Sequence, residues 1–208
     1  MSDRPPPTAA STLSEEDVRQ RVRRAVADAL DLELEEVDPC ASLVDELGAE
    51  SLDFLDITFR LEDELAIRMP RLDVLYRLEN HFGPGVVLVD RRLTEHGVVI
   101  LRRAMPEIPA EALRPGLTPL DIAGLVSTET FVRVALQMLT AKAAMPRACP
   151  QCAALDLRDA KSTRELVCDA CGARVPLPDG DEVLLAALEE TFGDELAASA
   201  EDTAPAGA

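Results

Sequence analysis

Two groups of side chains in this sequence carry chemistry by their type and spacing: four cysteines in two pairs, and one serine at the start of a helical pattern. Cys149-Pro-Gln-Cys152 and Cys168-Asp-Ala-Cys171-Gly172 each offer two thiols on a short turn, with residues 153–167 between them. That spacing suits a tetrahedral all-cysteine zinc site, with Cys149, Cys152, Cys168 and Cys171 as ligands and a hairpin joining the turns. Gly172 permits a tight turn after the second pair, and Arg164-Glu-Leu-Val167 reads as the strand leading into it. Four protein ligands leave no position open for water, so the expected Zn2+ is structural and stabilises a module too small to fold alone. A redox role would want a βαβ unit beside one pair, and none is in view. Cys40 has no ligand partner near it and is expected to be a small, half-buried residue.

The serine is Ser51, in Asp45-Glu-Leu-Gly-Ala-Glu-Ser-Leu-Asp-Phe-Leu-Asp56. A Leu-Gly turn precedes it and an apolar, acid-rich helix follows. Unpaired amides and partial positive charge at a helix start favour a phosphodiester on such a hydroxyl, which makes Ser51 a candidate attachment point for a phosphate-linked arm. The simpler reading is a helix N-cap with a solvated acidic face behind it. A Ser-His-Asp hydrolase has little to build on, since both histidines, His81 and His96, fall in a separate segment.

The elements that must hold these groups are mostly helical. Ser14 with acids in the first turn opens a helix to Leu30, with Val18, Val22, Val26, Ala29 and Leu30 at helical spacing. A second helix runs from Ser51 to Leu65. Its stripe is read as Leu52, Leu55 and Phe59, with Phe54, Ile57, Leu61 and Leu65 a little off it, and Asp53, Asp56, Glu62, Asp63 and Glu64 opposite. Beyond Pro70 come a helix at 73–80, a Gly-Pro-Gly break, the β-branched run Val86–Val89 with no evident partner, and a helix from Thr94 to Ala104. Thr128–Ala144 and Asp181–Phe192 read as further amphipathic helices, the latter with Val183, Leu184, Ala187, Leu188 and Phe192 on one side. The proline-rich first dozen residues and the tail at 197–208 lack apolar groups and are expected to be disordered.

Composition narrows the partners. A net charge of -18 disfavours nucleic acid and anionic lipid surfaces and favours basic proteins. No leader and no uninterrupted apolar run of about 20 residues is evident, so neither export nor membrane insertion is expected and the default address is the cytoplasm. Aromatics at 3% suit a small helical core of aliphatic residues.

Gly48-Ala-Glu-Ser-Leu-Asp53, the acidic helix behind it and the Ile67-x-x-Pro70 exit resemble the acyl carrier protein family, whose signature is Asp-Ser-Leu. Ser51-Leu-Asp-Phe-Leu-Asp56 and Val126-Ser-Thr-Glu-Thr130 look most like the carriers of very-long-chain acyl groups for bacterial lipid A and related specialised lipids. The resemblance covers about Leu13 to Met138. It implies a helical bundle at 13–144 carrying an insert at about 71–117, where Leu93-Thr-Glu-His-Gly-Val and Arg102-Arg-Ala-Met-Pro106 look like an insert of some specialised carriers. The expected fold is therefore mainly α: a carrier-like bundle with an insert, a zinc-ribbon β-hairpin module at 145–178, and a C-terminal helix at 179–196.

The resemblance also implies a function. A phosphopantetheinyl transferase would move 4'-phosphopantetheine from coenzyme A to Ser51, and the thiol of that arm would hold acyl intermediates of fatty-acid or specialised lipid synthesis as thioesters. The chain would act as carrier rather than enzyme, a monomer meeting ketoacyl synthases and acyltransferases through Glu50, Asp53, Asp56, Glu62 and Asp63, whose charge would steer basic partners. Glu50 departs from the family's Asp. It keeps the charge on a side chain one methylene longer. The competing reading is a zinc-ribbon adaptor whose carrier-like half stays unmodified.

Overall fold

A computed structural model describes residues 13–71, 74–160 and 164–201, with the backbone alone for residue 74 and residues 191–201. Asp73 at the expected start of the third helix, the side chain of Phe192, and the terminal segments 1–12 and 202–208 lie outside what is described.

Helix α1 (Glu15–Leu30) begins in a reciprocal cap: the Asp17 amide donates to Ser14 Oγ at 3.1 Å and the Ser14 amide to Asp17 Oδ2 at 3.0 Å. It ends at Asp31, whose φ of 54° turns the chain into the loop toward α2 (Ser51–Leu65). Val18, Val22 and Val26 from α1 pack on Ile57 and Leu61 from α2 and on Ala135 and Met138 from α6 (Thr128–Ala143). These three helices form one bundle. The loop before α2 is pinned to them by the fully buried Val37 and Leu43 and by the Leu43 amide, which donates to Val126 O at 2.9 Å.

The segment expected as an insert has a core of its own. It runs through α3 (Val74–Phe82), strands β1 (Leu88–Val89) and β2 (Arg92–Leu93), and α4 (Glu95–Ala104). Val86–Val89 thus finds its partner two residues on, across an Asp90-Arg91 turn with φ of 48° and 59°. Gly97 lets the hairpin close on α4, because a Cβ there would stand 2.4 Å from Val87 O. Leu78, Ile100, Leu101 and Leu113 are buried in this second core. The five-residue α5 (Pro119–Ala123), not foreseen from pattern, joins it to α6.

After α6 comes a three-stranded antiparallel sheet, β3 (Leu157–Ala160), β4 (Glu165–Cys168) and β5 (Arg174–Pro176), in the order β3-β4-β5. The expected hairpin gains a third strand because the chain leaving the second cysteine turn runs back beside β4, pairing Val175 with Leu166. Helix α7 (Gly180–Glu201) continues past the expected end at 196. It returns to the insert, giving Leu184 and Leu188 to the second core. Asp181 accepts the Arg71 amide at 2.8 Å and Arg68 pairs with Asp179 at 2.6 Å. Gly180 is required at this crossing, since a Cβ would lie 2.3 Å from Pro70 N.

Candidate functional site

Ser51 is the first residue of α2, and the N-cap is Glu50, whose amide donates to Asp53 Oδ2 at 2.7 Å. The Ser51 hydroxyl is therefore not engaged in capping. It is exposed, and among the described residues it makes no hydrogen bond. Gly48, at φ 75°, supplies the turn that brings the chain to this end of the helix.

Which side of α2 faces inward differs from the expectation. Phe54, Ile57, Leu61 and Leu65 are buried, whereas Leu52 (76% exposed), Leu55 and Phe59 (54%) form an outward apolar stripe running from Ser51. Both sets have helical spacing; α1 and α6 cover only the first. The acids around the stripe are not equivalent. Glu50 and Asp63 are exposed, Asp53 is half-buried and accepts the capping amide, and Asp56 pairs with Arg60 at 2.9 Å.

Glu62 departs from the expected open docking carboxylate. Its side chain is 9% exposed, accepts the Met69 amide at 3.0 Å and faces Arg164 at 2.6 Å. Burial pushes its pKa up, against the pull of that amide and of Arg164. Arg164 comes from the cysteine module, and its guanidinium also stands 5.4 Å from the Phe59 ring centre. Lys142 on α6 pairs with Asp159 of β3 at 2.8 Å. The module thus leans on the C-terminal half of α2 through charged groups, with a cleft of about 370 Å³ between them.

On the other side of Ser51 opens a larger cavity of about 690 Å³. Glu50, Ser51 and Leu52 form part of its lining, with Phe131 and Val134 from the bundle. The insert and α7 contribute Leu75, Leu101, Met105 and Leu184. Arg133 of α6, also on the wall, ties the two sides through Glu107 at 2.7 Å.

The four paired cysteines meet. Their sulfurs all lie within 4.8 Å of one another, with Cys149 Sγ 3.7 Å from Cys171 Sγ and Cys152 Sγ 3.6 Å from Cys168 Sγ. Sulfurs at about 2.3 Å from a central zinc in tetrahedral array stand about 3.8 Å apart, so the donor set fits that ion. The two turns share one geometry. In each, the first cysteine's amide donates to the carbonyl five residues on (Ala154 O, 2.8 Å; Ala173 O, 2.9 Å). In each, the residue after the second cysteine takes positive φ: Ala153 at 60° and Gly172 at 74°. Burial raises the Cys149 thiol, but the amides of Cys152 and Gln151 outweigh it and bring the pKa to about 7. The Ala173 amide favours the Cys171 thiolate, yet the neighbouring sulfurs push that thiol up to about 12. Four thiols this close ionise together only with a cation among them. Cys40 lies far from this cluster in the chain and is exposed rather than half-buried.

Comparison with known proteins places these features. The family model described as "Phosphopantetheine attachment site" matches residues 20–83, from α1 through α2 to the end of α3. The acyl carrier protein of Phenylobacterium zucineum strain HLK1 is 43% identical over 77 residues, which is 37% of this chain and 95% of that relative. This chain belongs to the acyl carrier protein family. Acyl carrier proteins of Sinorhizobium fredii strain NGR234 and Rhizobium meliloti strain 1021 are each 37% identical over 54 residues, covering 26% of this chain and 69% of theirs. No solved structure matches.

The family match gives the chain a carrier domain for a phosphopantetheine arm and leaves the cysteine module beyond it. Among the described residues no helix is long and apolar enough to cross a membrane. From the sequence, the helix start at Ser51 and the pairing of the four cysteines were in view, but not Arg164 as a contact to α2, nor the wall that Leu75, Leu101, Met105 and Leu184 give the cavity. Arg164 carried no usable signal, since its partner lies about a hundred residues upstream. Leu184 read only as part of an apolar helix face.

Proposed function

We propose that this protein carries acyl groups as thioesters on 4'-phosphopantetheine attached to Ser51. The observation that carries this reading is the position of Ser51: an exposed, uncommitted hydroxyl at the amide end of α2, on the rim of an apolar cavity. A phosphopantetheinyl transferase supplies the activation. Ser51 Oγ displaces the nucleotide half of coenzyme A at the pantetheine phosphate, forming a phosphodiester and releasing adenosine 3',5'-bisphosphate. The first-turn amides of α2 then face the new negative charge. The distal thiol of the arm exchanges acyl groups with ketoacyl synthases and acyltransferases.

Glu50, Asp53, Asp56 and Asp63 steer basic partners to α2, and the exposed Leu52 and Leu55 supply the apolar contact once they arrive. Glu62, paired within the chain, contributes less. The long insert and the size of the cavity support service in specialised lipid synthesis with long acyl groups, in the cytoplasm. Zn2+ held by Cys149, Cys152, Cys168 and Cys171 keeps the ribbon folded, a structural ion with no open coordination position. Incubation with a transferase and coenzyme A is expected to add the mass of one phosphopantetheine. Ser51→Ala abolishes the gain, and an unmodified wild type in the presence of several active transferases overturns the reading.

A further inference from the structure

We infer that the inserted segment and α7 form the outer wall of the acyl-binding pocket, so that the cargo is a long acyl chain lying between the two hydrophobic cores. The inference rests on the carrier reading of Ser51. Three observations point the same way. The cavity begins at the attachment residue, with Ser51 and Leu52 in its lining. Its walls come from two separate cores, Phe131 and Val134 on the bundle side and Leu75, Leu101 and Met105 on the insert side. Its volume of about 690 Å³ exceeds the roughly 370 Å³ of the cleft on the module side. Most of the lining side chains are apolar, which suits an extended alkyl chain.

An acyl chain is the fitting occupant because it is delivered from the rim on a tether and needs no polar partner along its length. The two cores meet there without filling the space, and the Arg133–Glu107 pair bridges the gap. The bundle alone supplies only one wall. A chain in this seam therefore has its length read by α4, α5 and α7.

The test uses the full-length chain, loaded by a transferase with octanoyl-, hexadecanoyl- or eicosanoyl-phosphopantetheine from the corresponding coenzyme A thioesters. Hydroxylamine cleavage of the thioester reports shielding. The eicosanoyl form is expected to cleave about tenfold more slowly than the octanoyl form, a modest bias toward the sequestered state. Ala104→Phe on α4 and Ala123→Phe on α5, which fill the cavity from the insert side, bring eicosanoyl cleavage up to the octanoyl rate and leave octanoyl cleavage unchanged. A chain-terminal diazirine on wild-type protein needs no variant: its photoproducts are expected within residues 74–125 and α7. Cleavage independent of chain length, or photoproducts confined to α1, α2 and α6, overturns the inference while leaving the carrier reading intact. Failure to attach an arm from free coenzyme A, a loading that involves no acyl chain, removes both.

Discussion

The insert and the cysteine module both rest on the carrier bundle, and they do so with opposite chemistry. The insert side is apolar. It shares a cavity with the bundle and is closed by buried Leu184 and Leu188 arriving on α7. The module side is polar, held by Arg164 on Glu62 and Lys142 on Asp159 over a smaller cleft. Apolar seams draw their strength from area removed from water and resist salt, whereas exposed ion pairs are weak and screened. One face of the bundle is thus welded and the other is latched.

Metal removal is the strongest way to separate the two. Stripping the zinc proposed at the four sulfurs with a chelator is expected to expose the amides of β3–β5 to full hydrogen exchange while α1, α2 and α6 stay protected. The effect is large because structural zinc contributes on the order of 10 kcal/mol to the fold it holds. Loss of protection throughout the bundle would show that the two seams are one cooperative unit.

Leu101→Ala should cost roughly 2–5 kcal/mol by opening a void in the insert core. Chemical denaturation measures the loss, and melting of α4 and α7 ahead of the ribbon strands would support the division. Gly180→Ala forces a Cβ against Pro70 and the Arg68 carbonyl, an expected loss of about 1–3 kcal/mol from overpacking. Its signature is faster exchange in α7.

Arg164→Ala should change global stability by less than about 1 kcal/mol, since the pair is partly exposed. Amide exchange in the C-terminal half of α2 should nevertheless rise, and high salt should produce the same rise in the wild type.

The smallest expected effect is in pH. Burial raises Glu62, so the folded chain keeps that proton longer than the unfolded one, and its contribution to folding stability is lost as pH climbs from about 4.5 through the raised value, even as the ionised carboxylate gains its attraction to Arg164. Asp121, beside the insert, behaves oppositely. Hydrogen bonds from Thr118 lower it, so its contribution is present above 3.8 and fades as pH falls through the lowered value. Glu62→Gln should remove the first slope from a pH series of melting temperatures and leave the second.

Local chemistry made some of this readable from the chain. Ser14 and Asp17 announced α1, the cysteine spacing announced the cluster of four sulfurs, and Ser51 was placed at the start of its helix. The facing of α2 was not readable because two apolar stripes, Leu52-Leu55-Phe59 and Phe54-Ile57-Leu61, satisfy the same period, and only packing decides between them. The β1–β2 pairing rests on two residues per strand and a turn without glycine, below what alternation reveals. The return of α7 to the insert joins residues about a hundred positions apart, and it brings Leu184 to the wall of the seam cavity.

That return also makes the ribbon a closed excursion. The chain leaves the bundle after Ala143 and rejoins the fold at Gly180, anchored at both ends by helices. An unfolded ribbon would become a flexible loop, and doubling the length of such a loop costs only about 0.6 kcal/mol in closure entropy. Helix α7 would stay tethered at high effective concentration beside its docking surface. Occupancy of the four sulfurs would therefore set whether the far half of α2 is covered, with Leu184 and Leu188 of α7 still seated in the second core.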